Sequence, residues 1–126
     1  MMDAMPKIQV AEWLAISDLQ IALFKGPKVL WKDGVQNKFF DAISSGKPIA
    51  CNFYGWQTKI ATENKIGFYI NNENHLEAAQ TITSYLRNEK WLKNVPNNAR
   101  KLSENDFNRD KLAKKLINIL EDVRRS

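Results

Sequence analysis

Two aspartates, Asp33 and Asp41, could bind a polar ligand, as their residue type and their spacing indicate. They stand eight positions apart, and the segment between them contains Gly34, Asn37 and Lys38. An ionised carboxylate accepts two hydrogen bonds, which suits the paired hydroxyls of a ribose. The free amides at a helix start can bind phosphate oxygens. A carboxylate near a helix start also occurs simply because it compensates the helix dipole, so both interpretations stay open.

The surrounding residues predict a loop, a short helix and a buried strand. Apolar residues recur at helical spacing over 37–45. Gly46 suits the left-handed residue just past a helix end, and Pro48 prevents the helix from continuing. The run over 48–52 is short and apolar, as a buried strand would be. Because ligands of open α/β sheets bind beyond the carboxyl ends of the strands, the start of this helix is a suitable place for a site.

This unit resembles the donor-binding segment of the GT-B type, group-one nucleotide-sugar glycosyltransferases. In that family two acids stand at the spacing of Asp33 and Asp41, and a glycine follows the first acid. A turn similar to Gly-Lys-Pro-Ile at 46–49 leads into the next strand. The subgroup that builds bacterial cell-envelope polysaccharides has a helix start close to Gln-Asn-Lys-Phe-Phe-Asp at 36–41. Here both acids are aspartates where the family has glutamates, and Gln36 replaces a proline.

The resemblance extends over nearly the whole chain and implies a fold, a reaction and a site. The implied fold is a Rossmann-like, three-layer α/β domain with a small parallel sheet, the incomplete C-terminal half of a GT-B glycosyltransferase. The implied reaction is transfer of a sugar, with retention, from a nucleoside-diphosphate sugar to a saccharide or lipid-linked acceptor, without a metal or other cofactor. The residues that the resemblance assigns to donor binding are Asp33, Gly34, Val35, Gln36, Asn37, Lys38 and Asp41.

The resemblance also implies parts that this chain does not supply. In the family, this half begins with strands and a glycine-rich turn ahead of the region matching Val10, and it carries a basic pair for the diphosphate. We therefore expect residues 1–126 to form one truncated nucleotide-sugar-binding domain that is inactive alone. Its expected partners are the nucleotide-sugar donor and the missing N-terminal half, with a peripheral membrane contact and no nucleic acid.

Composition and charge are those of an ordinary globular domain. The chain has 126 residues, of which 44% are hydrophobic and 26% are charged, and it contains no apolar run long enough to span a membrane. Its single cysteine, Cys51, excludes a disulfide framework and indicates a reduced setting, so we expect a cytoplasmic location, including the inner face of the membrane. The net charge of +5 leans towards 100–126, where acids are interleaved, which favours a solvated helix face over a nucleic-acid or anionic-membrane patch.

The remaining pattern predicts strands that alternate with helices, which indicates a parallel sheet. The strands are predicted at 19–24, 48–52 and 66–70. An amphipathic helix is predicted from Val10, after a lead-in over 1–9, and Pro96 is expected to interrupt a helix over 91–102. A helix after Asn72 has a predicted apolar stripe of Leu76, Ala79, Ile82 and Leu86. The last helix is predicted to be capped by Asn108 and to carry the stripe Leu112, Leu116, Ile119, Leu120 and Val123.

Two other functions stay open beside sugar transfer. A non-catalytic α/β module that binds a nucleotide or a protein would have the same small fold and would need no second half. A nucleic-acid binder would need clustered basic residues with exposed aromatics, whereas the charge here is dispersed. His75, the only histidine, is expected to be exposed, and Cys51 is expected to be an unreactive core residue because it lacks a basic neighbour.

Overall fold

A computed structural model describes residues 5–125 as an α/β domain with a small parallel sheet, as the sequence predicts. The three strands pair in the order β1 (Gln20–Ala22), β2 (Ile49–Cys51) and β3 (Gly67–Tyr69). The α-helices are α1 (Lys7–Ile16), α2 (Asn37–Ser45), α3 (Trp56–Glu63), α4 (His75–Leu86), α5 (Glu89–Asn105) and α6 (Arg109–Arg125). Within this part of the chain, no helix combines the length and the apolar character needed to cross a membrane.

The two faces of the sheet contact different helices, which produces three layers. On one face, Ile49 and Cys51 of β2 belong to a core cluster that includes buried residues of α2, α3 and α5. On the other face, Ala50 and Phe68 pack against Ala78 and other residues of α4. Successive side chains of a strand point to opposite faces, so a strand covered on both sides is apolar throughout. All three residues of β2 are fully buried for this reason.

The helix α2 has the bounds that its sequence predicts, and it connects the candidate site to the core. Phe39, Ala42 and Ile43 are buried. The Phe39 ring makes edge-on contacts with Trp56 and Phe107 at centroid distances of 5.8 and 6.0 Å. Gly46 ends the helix with φ +67°, a left-handed conformation that side-chain-bearing residues rarely adopt. Gly46 therefore sets the end of α2, and the aromatic contacts hold its apolar face against the core.

The predicted interruption at Pro96 is wrong, because α5 runs continuously from Glu89 to Asn105. A proline inside a helix loses one hydrogen bond and crowds the preceding turn. Val95, Ala99 and Leu102 lie on one face of α5, are buried, and join the same cluster as the buried face of α2. Burial of this face offsets the local cost of the proline, and the helix continues.

Two further helix predictions need correction at the amino-terminal end of the chain. The part of the predicted lead-in at 1–4 lies outside the described residues, but α1 already begins at Lys7. Pro6 precedes its first turn, where the missing N–H removes no helical hydrogen bond. Only part of the predicted apolar face of α1 is covered, since Val10 and Leu14 are half-buried whereas Trp13 and Ile16 are exposed.

The apolar face of α4 differs from the predicted stripe. Ala78, Ile82 and Tyr85 contact the sheet, whereas Leu76 is 70% exposed. The Tyr85 ring stacks on Phe68 of β3 with a centroid distance of 4.0 Å, and this contact sets the rotation of the helix. Two apolar patterns overlap on α4, the predicted stripe and the face with Ala78, Ile82 and Tyr85. The contacts with the sheet decide that the second one packs on it.

Cys51 is buried, as predicted, and makes stability depend on pH. Burial raises the pKa of the Cys51 thiol from 9.0 to about 11, and a hydrogen bond with Thr58 lowers it by a smaller amount. The unfolded thiol ionises first as pH rises, so the thiol's contribution to stability is complete below pH 9 and is lost towards pH 11.

We expect the free energy of unfolding to fall by about 1 kcal/mol more between pH 8 and pH 10 in the wild type than in Cys51→Ala. Burial also raises the pKa of Tyr69, which adds to the slope in both proteins and cancels in the comparison. Urea denaturation of both proteins at several pH values measures the difference. Equal slopes would show that the folded thiol titrates as it does in the unfolded chain.

Candidate functional site

The predicted site residues lie in the connection from β1 to α2, beyond the carboxyl end of the sheet, and in α2 itself. The connection begins with a 3-10 turn at Lys28–Leu30 and continues through a turn that contains Asp33. The Gly34 amide donates to the Leu30 carbonyl at 2.9 Å, which closes this turn. The Asp33 side chain is exposed, and Val35 is 58% exposed. The connection therefore presents both charged and apolar side chains to the outside.

A buried amide holds the first end of this connection. The Asn52 side chain, which is 2% exposed, follows β2 directly. Its Oδ1 accepts a hydrogen bond from the Phe24 amide at 2.7 Å, and its Nδ2 donates to the Phe24 carbonyl at 3.2 Å. Because both backbone polar groups of Phe24 are paired with one side chain, Asn52 extends the contact between β1 and β2 beyond the strands themselves.

A second buried amide holds the other end. Gln57, in the first turn of α3, is fully buried. Its Oε1 accepts a hydrogen bond from the Gln36 amide at 2.8 Å, and its Nε2 donates to the Gln36 carbonyl at 3.1 Å. Gln36 immediately precedes α2. Gln57 thus fixes the residue from which the candidate helix starts.

Gly55 allows the middle of the connection to approach the loop between β2 and α3. A Cβ atom at this position would overlap with the Trp31 carbonyl oxygen, so only glycine fits against this backbone. The indole N–H of Trp31 is buried and has no hydrogen-bond acceptor among the described residues. The Lys28 ammonium lies 5.9 Å from the centre of the Trp31 ring. The segment 52–57 therefore contacts the connection at three points, through Asn52, Gly55 and Gln57.

The first amides of α2 are available to a ligand. No side chain caps this helix, which is also true of α1 and α3, whereas the side chains of Asn74 and Asn88 cap α4 and α5. Asn37 and Lys38 are exposed at the uncapped end. The lysines around the connection, all of them exposed, are Lys25, Lys28, Lys32 and Lys38. An uncapped helix start with nearby positive charge favours a bound anion.

Asp41 is the fifth residue of α2 and so lies beyond the first turn, where the helix dipole acts most strongly. Its carboxylate is exposed and makes no hydrogen bond or ion pair within 5–125, while its backbone carbonyl accepts from the hydroxyls of Ser44 and Ser45. Asp41 lines a cavity of about 410 Å³ between α2 and the junction of α5 with α6, together with Glu104 and Arg109. Compensation of the dipole is therefore a weak explanation for this residue.

The structure does not gather all the predicted residues into one concavity. The cavity at Asp41 is lined by none of the residues 33–38, which form the loop and the helix start that precede it. His75 is exposed at the start of α4, as predicted, and belongs to neither surface. Within the described residues, no group of His, Cys, Asp and Glu side chains could hold a metal ion. The two predicted acids therefore have different surroundings.

The sequence interpretation missed Asn52 and Gln57, which position the candidate residues. Each carries an amide that can donate and accept at once, the type of group that pairs with a whole peptide unit. A polar residue directly after an apolar strand, and another directly after an aromatic turn, were the available signals. Neither signal identifies the distant residue that the amide will bind.

Comparison with known protein families, with curated proteins and with solved structures found no match for this chain. The family resemblance therefore stays a prediction from the motif.

Proposed function

We propose that this chain supplies the donor-binding segment of a retaining nucleotide-sugar glycosyltransferase. The observation that supports this most directly is the connection from β1 to α2, which Asn52 and Gln57 hold at both ends while its polar groups stay exposed. A loop held in this way loses little conformational entropy when a ligand binds. It lies where ligands of parallel α/β sheets are generally found.

Each proposed contact follows from the chemistry of the residue. The Asp41 carboxylate accepts hydrogen bonds from the ribose hydroxyls, since it has no partner within the described protein. The amides of Asn37 and Lys38, with the Lys38 ammonium, bind the diphosphate. Asp33 and the backbone of Gly34, together with Val35 and Gln36, contact the sugar. Catalysis in this proposal consists of positioning the donor and stabilising charge on the departing diphosphate.

The proposal includes a second, acceptor-binding half that associates with this chain. The outer edge of β1 pairs with no other strand among the described residues. Ile21 and Leu23, on the same side of the sheet as the α4 cluster, are 41% and 58% exposed. An open strand edge beside exposed apolar side chains is a site at which further chain can add to a sheet.

Binding of a nucleoside diphosphate to this chain is the first test. Titration of the isotopically labelled chain with uridine, guanosine and adenosine diphosphates at millimolar concentration should shift the backbone amide resonances of Gly34, Asn37 and Lys38. Inorganic phosphate alone should shift the helix-start amides but not the resonances around Asp41. Saturable shifts restricted to other surfaces, or no shifts with any diphosphate, would contradict the proposal.

We expect the isolated chain to transfer no sugar, because the acceptor side of the reaction lies outside it. Incubation with a nucleotide sugar and a saccharide acceptor should release nucleoside diphosphate at the rate of hydrolysis without protein. Addition of an acceptor-binding half should then restore transfer. Turnover by the chain alone would show that no second half is needed, and diphosphate binding that no partner converts into transfer would favour a non-catalytic nucleotide-binding module.

A further inference from the structure

The last helix, α6, extends from the domain without packing on it. All residues from Arg109 to Arg125 are exposed. The helix is attached to the domain at its start, where the Lys111 ammonium donates to the Glu104 carbonyl of α5 at 2.9 Å and Phe107, just before the helix, packs against Phe39. At 1.5 Å per residue, α6 is about 25 Å long. The helix is therefore anchored at its first turn and exposed along its whole length.

One side of α6 is an apolar stripe. Its members are Leu112, Leu116, Ile119, Leu120 and Val123. Their spacing places them on one face of a helix, and their exposed fractions run from 45% to 69%. A continuous apolar surface of this kind marks a place where a protein meets something else.

The charges of α6 are arranged to match a negative surface. The helix has six basic and three acidic residues, a surplus of three positive charges. At helical spacing, Lys115 lies along one border of the stripe, beside Asp122, and Arg124 lies along the other. The side of the helix opposite the stripe holds charges of both signs, from Asp110, Glu121, Lys111, Lys114 and Arg125. Both the borders of the stripe and the opposite side therefore carry a net positive charge.

From this arrangement we propose that α6 lies on an anionic lipid surface, with the apolar stripe at the boundary between headgroups and acyl chains. An exposed amphipathic helix with apolar residues on one face and a surplus of basic residues on the rest of its surface is the form that lies in a membrane interface. Pairing with a second copy of α6 would bring two positively charged helices together, whereas phosphate headgroups neutralise them. This inference goes beyond the proposed function and does not depend on it.

Co-sedimentation of the full chain with vesicles tests the proposal. Vesicles that contain phosphatidylglycerol should bind the chain, and vesicles of phosphatidylcholine alone should bind it much less. High salt should weaken binding to the anionic vesicles, since each basic residue near such a surface contributes about fivefold. Replacing Lys115 and Arg124 together by glutamine should therefore weaken binding by about 25-fold.

A matched pair of variants separates insertion of the stripe from simple charge attraction. Leu116→Glu and Asn118→Glu add the same charge to α6, but residue 116 lies in the stripe and residue 118 lies on the opposite side. Each should lose about fivefold from the added charge. Leu116→Glu should lose at least about a further tenfold, because it also removes a leucine that would insert between the lipids. Circular dichroism of both variants checks that the helices are retained.

Three outcomes would overturn the proposal. The first would be that the chain fails to bind anionic vesicles. The second would be that both glutamate variants bind equally weakly, which would mean that charge alone drives binding. In the third, sedimentation equilibrium without lipid shows a dimer that Leu116→Glu abolishes and Asn118→Glu retains, which would assign the stripe to a second copy of the chain.

Discussion

Replacement of Gln57 by alanine is expected to lower the free energy of unfolding by about 3 kcal/mol or more. The Gln57 side chain is fully buried and makes two hydrogen bonds, at 2.8 and 3.1 Å, to the backbone of Gln36. Alanine leaves an amide and a carbonyl without partners, and each such group costs about 1–3 kcal/mol when it stays buried. The space that the side chain leaves adds a cavity term.

Two further variants identify the cause of this loss. Gln57→Leu restores most of the volume but none of the hydrogen bonds, so it should still cost about 2 kcal/mol. Lys59→Ala changes an exposed residue of the same helix, and its Nζ atom lies 3.9 Å from Oε1 of Glu63. This variant should cost less than about 0.5 kcal/mol, because exposed ion pairs contribute little. Urea denaturation followed by circular dichroism measures all three. A wild-type stability for Gln57→Leu would mean that packing, and not the pairing with Gln36, is what matters.

Replacement of Asp41 by asparagine is expected to weaken binding of the nucleoside diphosphate by roughly ten- to a hundred-fold. Asparagine keeps the shape of the side chain but removes the charge and one acceptor. A hydrogen bond to a charged group contributes about 1.5–3 kcal/mol, which corresponds to this range. The affinity is measured by titration with the nucleoside diphosphate that gives the largest shifts in the wild-type chain, and again after association with the acceptor-binding half.

The stability of this variant separates the functional role from a structural one. Asp41 lies beyond the first turn of α2 and has no partner for its carboxylate within the described residues, so its loss should change the free energy of unfolding by less than about 0.5 kcal/mol. Asp18→Asn makes the same change before β1, at the other end of the sheet, and should leave diphosphate binding unaffected. An unchanged dissociation constant in Asp41→Asn would remove this residue from the proposed site.

Local rules in the sequence were enough to determine the unit that carries the candidate site. The bounds of α2 follow from its apolar spacing and from Gly46, which takes the left-handed conformation that ends the helix. The run over 48–52 contains β2, and Asn108 caps α6 with its side chain. Each of these features depends on residues a few positions apart, whose preferred conformations do not need the rest of the protein.

The tertiary structure alone decided how that unit is held and which surfaces stay open. Gln57 pairs with Gln36 across 21 positions, and Asn52 pairs with Phe24 across 28. An amide side chain can pair with any peptide group, so only the packing of α3 and β2 beside the connection selects the partner. The same holds for Pro96, where the buried face of α5 outweighs a local cost. It also holds for the stripe on α6, because periodicity predicts an apolar face but not whether any part of the protein covers it.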